Sequence, residues 1–222
     1  MAPVGWTGGS GLIYVDAPGT ATSFSGGIAT YQDPGALSIK GGYNYVEADG
    51  NPYYESGFNY TVSGLTVGKT YSLSFYQAAG QQQGFTGDST NQWIVSLGTA
   101  GLSTKDDGLG DSKDVYYDTD ADASIASTTL MHVTSGGGVS WNYVTVNLTA
   151  DATTDVLGFL AWANQGSTIN VPPIAFLTGV DSPAGLSPGV PEPASWALAI
   201  LGFAGAGSIL RRERAKRAAV CA

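Results

Sequence analysis

The chain carries one histidine, His132, so any Ser-His or Cys-His pair would have to use it. It stands between Met131 and Val133 in a short alternating run, which reads as an ordinary strand residue. Gly185-Leu186-Ser187-Pro188-Gly189 has the G-x-S-x-G spacing of a nucleophile elbow. That elbow requires a backbone N–H directly after the serine to bind the oxyanion, and Pro188 has none, so the match reads as linker composition. With a single His and a single Cys, Cys221, metal sites built on several such ligands are excluded by count. Carboxylates lend themselves to more. Asp106 and Asp111 leave paired-carboxylate hydrolysis open. Asp118-x-Asp120-x-Asp122 has the spacing that opens an EF-hand loop, but Ala123 stands where that loop needs glycine and Thr129 where it needs glutamate. Two readings of these aspartates follow: calcium held by Asp118, Asp120 and Asp122, or a solvated acidic loop. Flat rings supply the last kind of chemistry. Tyr43, Tyr45, Tyr53, Tyr54, Tyr116, Tyr117 and Trp141 fall near expected strand ends, where a ring can stack on a sugar; Tyr45 and Trp141 are the glycan-contact candidates. Gln77, Gln81, Gln82, Gln83 and Asn91 add neutral hydrogen-bonding capacity beside one loop.

The elements that must position these residues are strands. Glycine accounts for 32 of 222 residues, and no segment before Ala194 sustains a helical period. Short β-rich runs separated by Gly, Asp, Ser and Pro predict an antiparallel all-β domain. Leu12–Val15 and Tyr43–Val46 are candidate strands. Phe58, Tyr60 and Val62, then Tyr71, Leu73 and Phe75, alternate on either side of Gly64–Gly68, which predicts a hairpin with one face in the core. Trp93, Val95 and Leu97 repeat the alternation, as do Val144, Val146 and Leu148. Val156–Trp162 is apolar on both faces and predicts a central strand covered on both sides, and Pro173–Val180 closes the domain.

The charge is unevenly distributed. Before Ala194 the chain has four basic residues (Lys40, Lys69, Lys105, Lys113) against seventeen acidic ones, a formal 4 − 17 = −13, whereas the whole chain carries −9. Such a surface repels nucleic acid and anionic headgroups. The sole cysteine, Cys221, allows no intrachain disulfide.

The C-terminal end has a different composition. Ala194–Leu210 is uncharged and mostly apolar, a helix of roughly 26 Å at about 1.5 Å per residue, near the lower limit for crossing a bilayer. Arg211, Arg212, Arg214, Lys216 and Arg217 follow, which by the positive-inside rule places the tail in the cytoplasm and everything before it outside. Ahead of the span lies Val190-Pro191-Glu192-Pro193, in a Pro/Gly stretch expected to be an extended tether. Pro191-Glu192-Pro193, the Gly/Ala-rich span Leu201–Gly207 and the Arg-rich end together resemble the PEP-CTERM sorting signal of Gram-negative bacteria. The resemblance implies export, transient anchoring in the inner membrane by the C-terminal helix, and recognition at the motif by an exosortase. Cleavage there would release the outer part to the cell surface or medium, and such proteins accompany exopolysaccharide production. Export needs a leader, and Met1–Trp6 has neither a basic nor an apolar region, so the native start is expected upstream.

The Gly64–Phe75 stretch, Gln92–Gly98 and Pro173–Val180 resemble the galactose-binding-like jelly-roll sandwich. Family members often have an aspartate in the closing strand for structural calcium; this chain has Thr178. The reading is therefore an all-β antiparallel jelly-roll sandwich over 1–181, a linker over 182–193, one transmembrane helix over 194–210 and a basic tail over 211–222. Its function is expected to be non-catalytic association with extracellular polysaccharide, against two alternatives: a structural or adhesive surface protein without sugar specificity, and an envelope hydrolase.

Overall fold

The computed structural model describes residues 3–8, 11–23, 27–35, 44–54, 57–106, 114–164, 171–180 and 187–188, and every structural statement below concerns these. The sorting motif Val190–Pro193, the span 194–210, the basic cluster and Tyr43 lie outside them. Among the described residues no helix is long and apolar enough to cross a membrane.

Two compact units divide the chain, Met1–Pro188 and Gly189–Ala222. The first is a sandwich of two antiparallel sheets. In chain order its strands are β1 (Thr7–Gly8), β2 (Ile13–Asp16), β3 (Tyr45–Asp49), β4 (Gly57–Ser63), β5 (Thr70–Gln81), β6 (Ser89–Gly98), β7 (Leu102–Asp106), β8 (Asp114–Asp118), β9 (Ser124–Ser127), β10 (Met131–Val133), β11 (Gly138–Thr149), β12 (Thr154–Ala163), β13 (Pro173–Thr178) and β14 (Ser187–Pro188). One sheet runs β1-β4-β12-β6-β10 with β9 also on β6; the other runs β11-β5-β13-β3-β2 with β14 also on β5. Strands β7 and β8 pair with each other.

Alternation decides which side chains meet. On β5, Tyr71, Leu73 and Phe75 point inward; on β6, Trp93, Val95 and Leu97 do, and β12 answers with Leu157 and Phe159, all in one buried cluster. The rings interlock: Phe58 stacks on Phe159 at 5.3 Å, and Phe75 meets Phe159 edge-on at 5.3 Å. Such a pair contributes about 0.5–1.5 kcal/mol beyond its burial. The indole N–H of Trp93 crosses between the sheets to the Phe176 carbonyl at 3.1 Å, leaving no buried donor unmet there.

The expected hairpin between Phe58 and Phe75 is not one. Strand β4 pairs with β1 and β12, and β5 pairs with β11, β13 and β14, so Gly64–Lys69 carries the chain across from one sheet to the other. An arch and a hairpin both place one face in the core, so alternation alone cannot separate them. The arch is held by the Gly64 and Leu65 N–H groups donating to the Thr153 carbonyl, with Gly64 at φ +83°. Strand β12 is central, as its apolar run requires: Ile94, Leu160 and Trp162 form a second buried cluster, against which Leu102 of β7 and Tyr116 of β8 pack. The β7–β8 pair, which includes Asp106 and Asp118, is therefore a β-ribbon lying on the sandwich.

After β2, residues 17–23 and 27–35 form a strap across the outer face of the second sheet. Its Ala21 and Ile28 cluster with Tyr45, Ala78, Ile174 and Phe176. Hydrogen bonds fix this strap: Tyr31 N–H to the Gln81 carbonyl at 2.9 Å, Gln83 N–H to the Ala29 carbonyl at 2.8 Å, and Trp141 Nε1–H to the Gly35 carbonyl at 2.7 Å.

Candidate functional site

The strap covers only part of that face. Beyond it, the outward side chains of β5 and β11 stand in directly opposed pairs: Thr70 with Thr149, Ser72 with Asn147, Ser74 with Thr145, and Tyr76 with Tyr143. The first three are bridged by side-chain hydrogen bonds of 3.0, 2.8 and 2.8 Å. The two tyrosine rings sit 4.9 Å apart, inclined at 56°, and Tyr143 is 55% exposed. From Thr70 to Tyr76 is six residue steps, so the strip is about 20 Å long. None of its eight side chains is charged, on a chain whose residues before Ala194 carry a formal −13. Hydroxyls and amides both donate and accept, and the tyrosines offer flat apolar surface with a polar tip. The strip thus suits a neutral, hydroxyl-rich ligand laid along the strands. Sequence alternation marked the inward residues of β5 and β11, and their outward partners Tyr76, Tyr143, Thr145 and Asn147 follow from the same period once the pairing is known.

The covered part of the face holds a second cluster. Tyr14 of β2 lies opposite Glu47 of β3, and Asp16 opposite Tyr45, so Asp16 and Glu47 are diagonal neighbours. The strap buries both carboxyls, Asp16 to 2% and Glu47 to 0% exposure. One Glu47 oxygen accepts the Ile28 N–H at 3.1 Å. Burial, then the hydrogen bond that the protonated Glu47 carboxyl donates to Asp16, pushes Glu47 up to about 9. Burial also raises Asp49, two residues along the same strand, to about 6. Neither acid drew notice in the sequence, because nothing there shows that a loop folds over a strand's outward residues.

The glycan candidates fare unequally. Tyr45 is 2% exposed, its ring edge-on to Phe176 at 5.4 Å and to Trp141 at 5.7 Å, so it is a strap-covered packing residue without a free face. Trp141 is half-buried and clamps the strap through Gly35. The glutamines hold loops in place. Gln81 donates to the Gly87 carbonyl and accepts the Gly136 N–H, Gln83 donates to the Thr22 and Thr30 carbonyls, and Gln77 donates to the Thr129 carbonyl.

Asp118, Asp120 and Asp122 do not converge on a cation. Asp118 accepts the Asp120 N–H and Asp120 accepts the Asp122 N–H, each at 3.0 Å, which makes successive turns stabilised by side chains. The other Asp120 oxygen takes the Thr99 N–H at 2.7 Å and the Thr99 hydroxyl, bonds that hold its carboxyl down at about 2. Among the described residues no group of three His, Cys, Asp or Glu side chains could hold a metal ion. His132 is exposed on β10, its Nε2 3.9 Å from a carboxylate oxygen of Asp88. The Ser187 backbone pairs with Ser72 as a short strand on β5.

No family model matches the chain, and no curated protein does. Among solved structures it is similar to a cleaved adhesin domain of Lys-gingipain from Porphyromonas gingivalis, with 15% identity, a TM-score of 0.38, and coverage of 80% of this chain and 93% of that one. It is also similar to a family 11 carbohydrate-binding module from Clostridium thermocellum, in complex with a mixed-linked tetrasaccharide, with 13% identity, a TM-score of 0.33, and coverage of 81% and 88%. A third is the enzymatically active domain of a tailspike protein from bacteriophage CBA120, with 13% identity and a TM-score of 0.36; it covers 80% of this chain but only 19% of that one. Likeness at this level carries no statement about activity.

Proposed function

We propose that the sandwich is a non-catalytic module that associates with extracellular polysaccharide through the uncharged strip on β5 and β11, and that the C-terminal segment sorts it to the cell envelope. The strip carries this reading: four opposed pairs of hydroxyl, amide and phenol side chains, ending in the exposed Tyr143 against the half-buried Tyr76, on an otherwise acidic chain. A neutral glycan meets donors and acceptors along about 20 Å and a ring surface at one end, without charge repulsion. Pro191-Glu192-Pro193, the span 194–210 and Arg211–Arg217 support the sorting half, with an exosortase as processing partner and the inner membrane as transient address.

The test is a glycan array probed with the full chain in detergent micelles. Wild type binds neutral polysaccharides, and Tyr143→Ala lowers affinity about tenfold or more while leaving the melting temperature within about 2 °C. Binding unchanged by Tyr143→Ala removes the strip as the site. Binding to no glycan leaves a structural or adhesive role without sugar specificity.

A further inference from the structure

The two sheets end in strands of very unequal length. Strand β1 has two residues, β10 three and β2 four, whereas β11 has twelve. Short terminal strands, charges and prolines are what keep a sheet edge from adding a further strand. Gly138–Thr149 has none of these defences: no residue in it is charged and none is proline. Among the described residues β11 pairs with β5 alone. Its register slips between Val139 and Asn142 and then runs unbroken to Thr149.

The phase of the ladder identifies the backbone groups left over. Ala150 donates its N–H to the Lys69 carbonyl at 3.1 Å, and on the other flank of β5 Gln82 donates to the Pro172 carbonyl at 3.1 Å. Carried along the register, these bonds turn Asn142, Val144, Val146 and Leu148 toward β5. Tyr143, Thr145 and Asn147 therefore aim both N–H and C=O along the open edge, and all three are exposed.

We propose that this edge is the interface of a two-fold homodimer, in which two β11 strands pair antiparallel about Thr145. In that register Thr145 faces its own copy, and Tyr143 faces Asn147 of the partner subunit. The three opposed pairs exchange about six backbone hydrogen bonds. On the inner face Val144, which packs against the core, meets Val146 of the partner subunit. Opposed threonines stabilise a strand pair, and opposed like charges destabilise it. Charge selects the occupant. Each chain carries −9, so two copies can meet only along a stretch without charge, and β11 supplies one. A charged peptide finds no complement there. A two-fold contact also requires a surface compatible with itself, which the residues around Thr145 provide. The two-fold axis stands normal to the sheet, so the uncharged strips of both copies lie side by side on one surface. The pairing holds whether or not that surface binds glycan.

The test is sedimentation equilibrium of the full chain in density-matched detergent micelles at several salt concentrations. Wild type sediments as two chains, and dimerisation tightens as salt screens the acidic copies from each other. Thr145→Pro removes a donor that the protomer itself does not use, a change that an edge strand tolerates. It should keep native circular dichroism and raise the dimer Kd about tenfold or more. A second readout is independent of stability. In a Cys221→Ser background, Thr145→Cys forms a disulfide-linked dimer under mild oxidation, whereas Thr70→Cys, exposed on the neighbouring strand, does not. The proposal is overturned if wild type remains a single chain up to about 0.1 mM in about 0.5 M salt. A dimer that persists unchanged in Thr145→Pro places the contact elsewhere and also overturns it. Equal cross-linking at positions 145 and 70 does the same.

Discussion

Glu47 makes the stability of the sandwich depend on pH in an unusual direction. Its carboxyl is raised from an ordinary value of 4.5 to about 9 by burial and by Asp16, so between those values the folded chain holds a proton that the unfolded chain has lost. Its contribution is fully present below the unfolded pKa and disappears as pH rises through the folded one. Stability therefore falls with pH across this range, with a limiting slope of about 1.4 kcal/mol per pH unit. The window from about pH 6.5 to 8.5 isolates Glu47, because Asp49 and Asp151, both raised to about 6 by burial, have largely titrated below it. Tyr45, also pushed upward by burial, acts only above it. Over those two units the loss is about 2–3 kcal/mol, or about 5–10 °C in melting temperature for a domain of this size. The assay is thermal and urea unfolding of the full chain, in detergent micelles with chelator present to keep divalent cations away. Glu47→Gln, which cannot titrate, should flatten the profile. A wild-type profile that is flat or rises over this window, or a Glu47→Gln profile that keeps the slope, refutes the reasoning.

Other outcomes follow from the same geometry. Trp93→Ala empties a site of 0% exposure and removes the link to Phe176, and should cost about 3–5 kcal/mol in chemical denaturation. Gln83→Ala deletes both ties to the strap and should cost about 1–2 kcal/mol, with faster amide exchange at Thr30 and Tyr31. In an exporting host with an exosortase, Glu192→Ala should leave the C-terminal segment uncleaved, seen as a heavier, membrane-bound product by mass spectrometry; cleavage at wild-type level counts against the sorting reading.

Alternation made the inner faces legible. Phe58–Val62, Tyr71–Phe75, Trp93–Leu97 and Val144–Leu148 are strands, and the doubly apolar Val156–Trp162 run is central. Pairing was not legible, because a period of two reports which face a residue takes and not which strand lies beside it. Hence the arch at Gly64–Lys69 read as a hairpin. Tyr45 and Glu47 show the second limit: alternation puts both on the outward face of β3, and nothing in the sequence shows that Ala21 and Ile28 of the strap pack there. The same packing removed Tyr45 from the glycan candidates. Tyr143, which shares β11 with Trp141, keeps its exposure because the strap covers the other part of the face.

The most direct test of the glycan reading is affinity electrophoresis of the full chain in gels cast with a neutral extracellular polysaccharide. Wild type should be retarded in proportion to polysaccharide concentration, and a Tyr76→Ala, Tyr143→Ala double variant should migrate as it does in an empty gel. Equal migration of both proteins at every polysaccharide concentration would contradict the account.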